Sequence, residues 1–135
     1  MAIFLNNGVS VTFNSVDLSA FVTAVTINQS FDELEVTAMG DTAHKFAKGL
    51  EASTITLDFL NDNEATKVIP TLRAAYGTTV TVVIKQTSAA VSAANPSYTA
   101  SVLVNNLQNV NGAVGDISSQ SITFTCNSTV VVAIA

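Results

Sequence analysis

The chain has one cysteine, one histidine, two prolines and no tryptophan in 135 residues. With Cys126 alone, no disulfide can form within the chain, and a reducing compartment suits its assembly. A zinc site draws on about three or four Cys, His or acidic ligands; His44 stands by itself, without a Cys/His cluster. No apolar stretch approaches the roughly 20 residues that span a bilayer. The terminal run Val130–Ala135 is far too short, and Met1–Asn7 lacks the basic and long apolar regions of a secretory leader. No glycine-rich phosphate loop is present, so no cofactor, metal or membrane anchor is expected.

Charge is scarce. Charged residues make up 11% of the chain, where about 25% is usual. The five cations, at 45, 48, 67, 73 and 85, are scattered; a nucleic-acid binder gathers Lys and Arg to neutralise phosphate. Eight of the ten carboxylates fall between Asp32 and Glu64, with only Lys45 and Lys48 among them. Ser, Thr and Asn together number 42, so the surface is neutral and polar rather than ionic. Charge usually keeps copies of a soluble chain apart; this one is suited to burying surface against partners.

What is present is β-patterned. Val9–Phe13 alternates, and Asn14–Asp17 reads as a turn. Phe21, Thr23, Val25 and Ile27 share one strand face, with Ala24, Thr26 and Asn28 on the other. Ile55, Leu57 and Phe59 alternate with Thr54, Thr56 and Asp58. Val80–Ile84 is a central strand by its β-branched content; Tyr98–Val104 and Ser121–Cys126 add two more. Asn61–Glu64 has the spacing of a capping box, followed by a helical stripe of Ala65, Val68, Ile69, Leu72 and Tyr76, with Gly77 as left-handed cap. Pro70 predicts a kink or break near Thr66–Ile69. The small-residue stretch Ser88–Ser97 and the stretch Asn105–Asp116 are loops. The fold class is mainly β with one helix: one domain over 1–135, an antiparallel sandwich or partial barrel flanked by an α-helix.

The segment Gln29–Glu51 is the most unusual. Strand-like at both ends, it holds Met39 and Phe46 beside Lys45 and Lys48, with Gly40 and Gly49 as turn points. Most connections are a few residues long. A long loop with exposed apolar and charged groups points to contact with another surface; the opposing expectation is that Met39 and Phe46 fold back on their own core. His44 near Asp41 lacks a partnered nucleophile, so no catalytic residue is assigned. Glu33 and Glu35 share a strand side, as a solvated acidic face does. Asp32, Glu33 and Asp58 lack the ligand spacing of an EF-hand loop. Cys126, inside the last strand pattern, reads as a buried, unreactive thiol.

The ordered set Val16–Val22, Val25–Ser30, Asp32–Phe46, Gly49–Leu50, Asn95–Tyr98 and Gly112–Asp116 resembles the major tail (tail tube) proteins of long, non-contractile-tailed bacteriophages. Pro70 and the apolar tail after Asn127 depart from that pattern. The resemblance implies a sandwich or barrel with a flanking helix. It also implies hexameric rings stacked into a hollow tube through which DNA passes, other tail proteins as partners, assembly in the host cytoplasm, a place in the virion tail, and no enzymatic activity. The stretch matching the family's ring-stacking loop, Thr37–Leu50, includes Met39, Gly40, Asp41, His44, Lys45, Phe46, Lys48 and Gly49. Glu33, Glu35 and Asp58 are candidates for an acidic lumen, which would repel DNA and let it slide. Another virion β domain or a secretion-tube ring would share the architecture. A small carbohydrate-binding module is the rival of a different class, with only Tyr76 and Tyr98 as tyrosine platforms.

Overall fold

The computed structural model describes residues 8–135; the reading of Met1–Asn7 lies outside them. The first strand, β1 (Ser10–Phe13), turns through Asn14 and Ser15 into β2 (Val16–Asp17). Both turn residues have positive φ, 49° and 68°, the backbone hand that joins twisted strands in two residues. A 3₁₀ turn, Ser19–Phe21, leads into β3 (Val22–Asn28). Ser19 ties the turn down: its hydroxyl accepts the Val11 amide at 2.9 Å, and Asp17 Oδ1 accepts the Ser19 amide at 2.9 Å. The Ser19 hydroxyl, then that amide, hold the Asp17 carboxyl below its usual range.

The remaining elements are β4 (Phe31–Glu35), β5 (Phe46–Glu51), β6 (Thr54–Leu60), α1 (Val68–Ala75), β7 (Thr79–Lys85), β8 (Ser97–Leu103), β9 (Ser119–Cys126) and β10 (Val131–Ala133). The main sheet runs β2-β1-β7-β8-β9-β6-β3, with β10 on β8, and every pairing is antiparallel. One edge of β8 pairs along its length with β7. Its other edge is shared: β10 takes Ser97–Thr99, and β9 takes Val102 and Leu103. The sheet folds over on itself there. Phe13 of β1 and Phe124 of β9, with β7 and β8 between them in the sheet order, meet with ring centroids 5.5 Å apart. Ile55, Leu57 and Phe59 are fully buried, as their alternation predicts, with Val82, Val102 and Ile122 in the same core. The fold is the expected β-sandwich-like architecture with one flanking helix.

Two local expectations are corrected. A register shift between Val22 and Ala24 puts Val22, not Thr23, on the inward side of β3 with Val25 and Ile27. The capping box does not form. The Asn61 side chain instead donates to Ser118 Oγ and accepts from Gln120 Nε2, both at 2.8 Å, tying the loop to β9. Thr66 takes φ 65° and the helix starts only at Val68, so Ala65 lies outside it. The break expected near Thr66–Ile69 is therefore the helix start. Pro70 is the third helical residue, where an amide has no intrahelical partner to lose. Val68, Ile69 and Leu72 bury as expected, but Tyr76 is 56% exposed. Gly77 closes the helix at φ 82°, its amide donated to Val104 O at 2.7 Å.

This placement makes Pro70→Ala nearly neutral. Denaturant unfolding should change by less than about 1 kcal/mol; a gain near the ~3 kcal/mol of an interior proline contradicts a helix that begins at Val68.

Candidate functional site

The unusual segment is a β-hairpin arm rather than an irregular loop. Among the described residues β4 and β5 pair only with each other, as a separate two-stranded sheet. The expected loop Thr37–Leu50 is thus corrected: from Phe46 onward it is strand, and the connection proper is 36–45. None of β4 is buried. A two-stranded ribbon has no interior, so its apolar side chains are covered only if something else covers them. Leu34, Val36 and Phe46 are more than half exposed, Leu50 is 81% exposed and Met39 fully so. Met39 and Phe46 do not fold back on their own core.

The two glycines serve different ends. Gly40, at φ 91°, sits in the tip turn as expected. Gly49 is not a turn residue. It lies in β5, where the pairing shifts between Phe31↔Glu51 and Glu33↔Lys48. A Cβ there would stand 3.0 Å from both the Cβ and the carbonyl oxygen of Asp32, so glycine permits close approach of the two backbones.

The tip is closed by its own polar groups. Asp41 Oδ2 accepts the Ala38 amide at 2.8 Å, and Asp41 Oδ1 pairs with Lys45 Nζ at 2.9 Å. The Ala38 amide first, then Lys45, hold the Asp41 carboxyl below its usual range. Thr37 Oγ1 accepts the Lys45 amide at 2.9 Å and donates to Glu35 Oε2 at 3.1 Å. His44 Nδ1 pairs with that same Glu35 oxygen, not with Asp41. Both groups are exposed, and Thr37 bonds the carboxylate rather than the imidazole, so no activated nucleophile results. Lys48 Nζ lies 4.6 Å over the Phe31 ring, a cation–π contact worth about 0.5–1 kcal/mol at an exposed site.

The acidic candidates divide. Glu33 and Glu35 share one face of the arm, opposite Lys48 and Phe46. Asp58 lies on β6, between Ala24 of β3 and Ser121 of β9. Its surroundings continue as a neutral polar face: Thr26, Thr56 and Thr123 lie in register, as do Asn28, Thr54 and Thr125. Thr56 and Thr123 hydroxyls are 3.0 Å apart. No group of three or more Cys, His, Asp or Glu able to hold a metal occurs among the described residues, and no helix there is long and apolar enough to cross a membrane.

Two further features escaped the sequence reading. Val110, Val114 and Ile117 are exposed beyond three-quarters, in the loop before β9; apolar residues inside a glycine-bearing loop were the available signal. Glu51 anchors the base of the arm. Its Oε2 accepts the Val130 amide at 2.9 Å and the Ser53 hydroxyl at 2.7 Å, contacts 79 and two residues away in sequence. Those bonds, Val130 first, lower the Glu51 carboxyl from its ordinary 4.5. Cys126 is partly rather than fully buried; desolvation first, then the Glu51 charge, push its thiol up from 9.0, away from a reactive thiolate.

Because the folded Glu51 pKa is depressed, its contribution is present above about pH 4.5 and fades as pH falls through the folded value. Glu51→Gln should therefore be less stable than the parent at pH 7, with the gap closing below pH 4. Urea midpoints across pH 3–7 check this; a gap unchanged at pH 3 contradicts the anchor.

No protein-family model matches the chain, and no curated protein matches it significantly.

Proposed function

We propose that the protein is a structural, self-assembling subunit whose hexameric rings stack into the tube of a phage tail, with DNA passing through without specific binding. The observation that carries this reading is the arm. It presents Leu34, Val36, Met39, Phe46 and Leu50 to solvent, on a ribbon that has no core of its own. Such a ribbon gains most by being covered, and in a homo-oligomer another copy of the chain is the available cover. The low charge and the neutral Ser/Thr/Asn face across β3, β6 and β9 support close approach of copies without like-charge repulsion. Ala24, Thr26 and Asn28 lie on that face and are exposed, which suits a contact within a ring.

In this reading Met39 and Phe46 seat on the adjacent ring. Lys45 and Lys48 are already engaged within their own arm, by Asp41 and by the Phe31 ring, so they orient the arm and add little affinity. Glu33 and Glu35, exposed on β4, are the carboxylates that would make the bore repel phosphate, whereas Asp58 lies on the face assigned to the contact within a ring. No enzymatic role is assigned. Other tail proteins would meet the two ends of the tube, after assembly in the host cytoplasm.

Phe46→Asp, and separately deletion of Gly40–Lys45, should leave the melting temperature of the main sheet within about 3 °C of the parent, because these residues lie on the arm and outside the main core. Both should abolish stacking in negative-stain micrographs while rings persist. Folded variants that still form tubes of normal length overturn the assignment.

A further inference from the structure

The arm and the loop between β8 and β9 lie at opposite ends of the same strands. Only residues 29–30 separate β3 from β4, and only 52–53 separate β5 from β6. Across these joints Ser30 O accepts the Ala52 amide at 2.8 Å, and the Ser30 hydroxyl donates to Ala52 O at 2.8 Å. The arm therefore carries the β3–β6 hairpin past the end of the main sheet that holds Asn28, Thr54 and Thr125. The other end of β6 is Leu60, paired with Ser119 at the start of β9. The loop is fastened there: Asn61 Nδ2 donates to Ser118 Oγ at 2.8 Å, and Ser118 O accepts the Asn61 amide at 3.0 Å. The loop also has a shape of its own. Ser118 Oγ donates to Asn111 O at 2.6 Å and Asn111 Nδ2 to Ser119 O at 2.7 Å, while Leu107 packs against the main core. Val110, Val114 and Ile117 point outward instead, with Val114 fully exposed. Asp116 is the one charge between β8 and β9, and the centre of a contact surface is typically poor in charge.

We propose that the outer part of the arm, Met39 with Val36 and Phe46, seats on this loop of a second copy, around Val110, Val114 and Ile117. The inference rests on the reading that another copy covers the arm, and it names the surface that does so. Within one subunit the two surfaces cannot meet. The seven residues of β6 hold them about 20 Å apart, and the arm leads away from the loop. Between copies displaced along β6 they meet directly, the arm of one reaching the loop of the next. The six side chains expose roughly 800 Å² in all, so with a polar rim their mutual cover reaches the approximately 1,000 Å² at which a specific contact begins. Repetition of the contact round a ring strengthens it further. Charge decides against two arms covering each other. Residues 31–51 carry five carboxylates and two lysines, so arm on arm sets like charge against like, whereas the loop brings Asp116 alone. The contact joins unlike surfaces. It therefore repeats without closing, and gives a column with arms at one end and loops at the other.

The test uses the full chain in a Cys126→Ser background. Met39→Cys or Phe46→Cys is made in one protein, and Val110→Cys, Val114→Cys or Ile117→Cys in another. The two are mixed under assembling conditions and oxidised. At least one mixture should give a disulfide from arm to loop between two chains, at least about tenfold more than either protein links by itself. Links formed as readily by an arm variant alone overturn the inference, as do assemblies without an arm-to-loop link in any mixture. A charge placed on the loop is the second readout. The Val114 side chain is fully exposed, so Val114→Asp keeps the fold, and it should raise the concentration needed for assembly at least about tenfold. Mixed with Phe46→Asp, which keeps an intact loop, it should form stacks of two and no longer ones, because one variant supplies the only working arm and the other the only working loop. If Val114→Asp assembles as the parent does while the parent's arm is protected from hydrogen exchange, the loop is not the acceptor and this inference falls alone. Assemblies whose arm stays unprotected overturn it together with the reading of the arm as a contact.

Discussion

The divided edge of β8 is the constraint on which the rest of the structure depends. A strand has two hydrogen-bonding edges, and buried backbone groups must all be paired. β8 gives one edge to β7 and splits the other between β10 and β9. A flat sheet cannot satisfy that division, so the sheet bends across it. The bend carries Phe13 onto Phe124 and buries Leu57, Val82 and Val102 in one apolar cluster. It also fixes what remains outside. Among the described residues β3 ends the strand order, and the chain between β3 and β6 has no place in the main sheet. That chain leaves as the arm.

The arm is stable for reasons that differ from those of the sandwich. Without buried apolar area it depends on directional bonds: the Ser30–Ala52 pair at its root, the Glu51 link to Val130, and the Asp41 and Thr37 contacts at its tip. Such bonds hold a shape but do not cover Met39 and Leu50, which stay exposed. This imbalance, a defined shape with uncovered apolar groups, is what the proposed contact with another copy would relieve. The cysteine fits the same picture: beside Glu51, its thiol is a packing group at the root of the arm.

How much of this was legible follows from where the side chains point. β6 was read correctly because one face is buried and the other wet, which writes itself as Ile55, Leu57 and Phe59 between polar residues. The arm left only part of such a pattern: its start reads as strand, with Glu33 and Glu35 on one side, as in β4. With neither face buried, nothing selects alternation, and Phe46–Glu51 reads as loop with a glycine in it. The bulges defeat period-two reasoning in the same way: the shift at Val22/Ala24 exchanges Thr23 for Val22 on the inner face. The helix stripe was visible, but its start was not, because Asn61 has a partner 57 residues away in Ser118 that no local rule reveals. Pro70 marked the right place for the wrong reason: it belongs to the first turn rather than interrupting the middle. In the candidate site, composition alone singled out Met39 and Phe46, whereas Glu51 as anchor required the fold.

The central claim is that another copy of this chain covers the arm. Hydrogen exchange over residues 31–51, followed from dilute to concentrated protein with particle mass measured alongside, tests it most directly. The account requires β4, β5 and the tip to gain protection in step with the appearance of assemblies. Assemblies that grow while the arm exchanges as fast as in the dilute chain, or a chain that stays monomeric at millimolar concentration, contradict it.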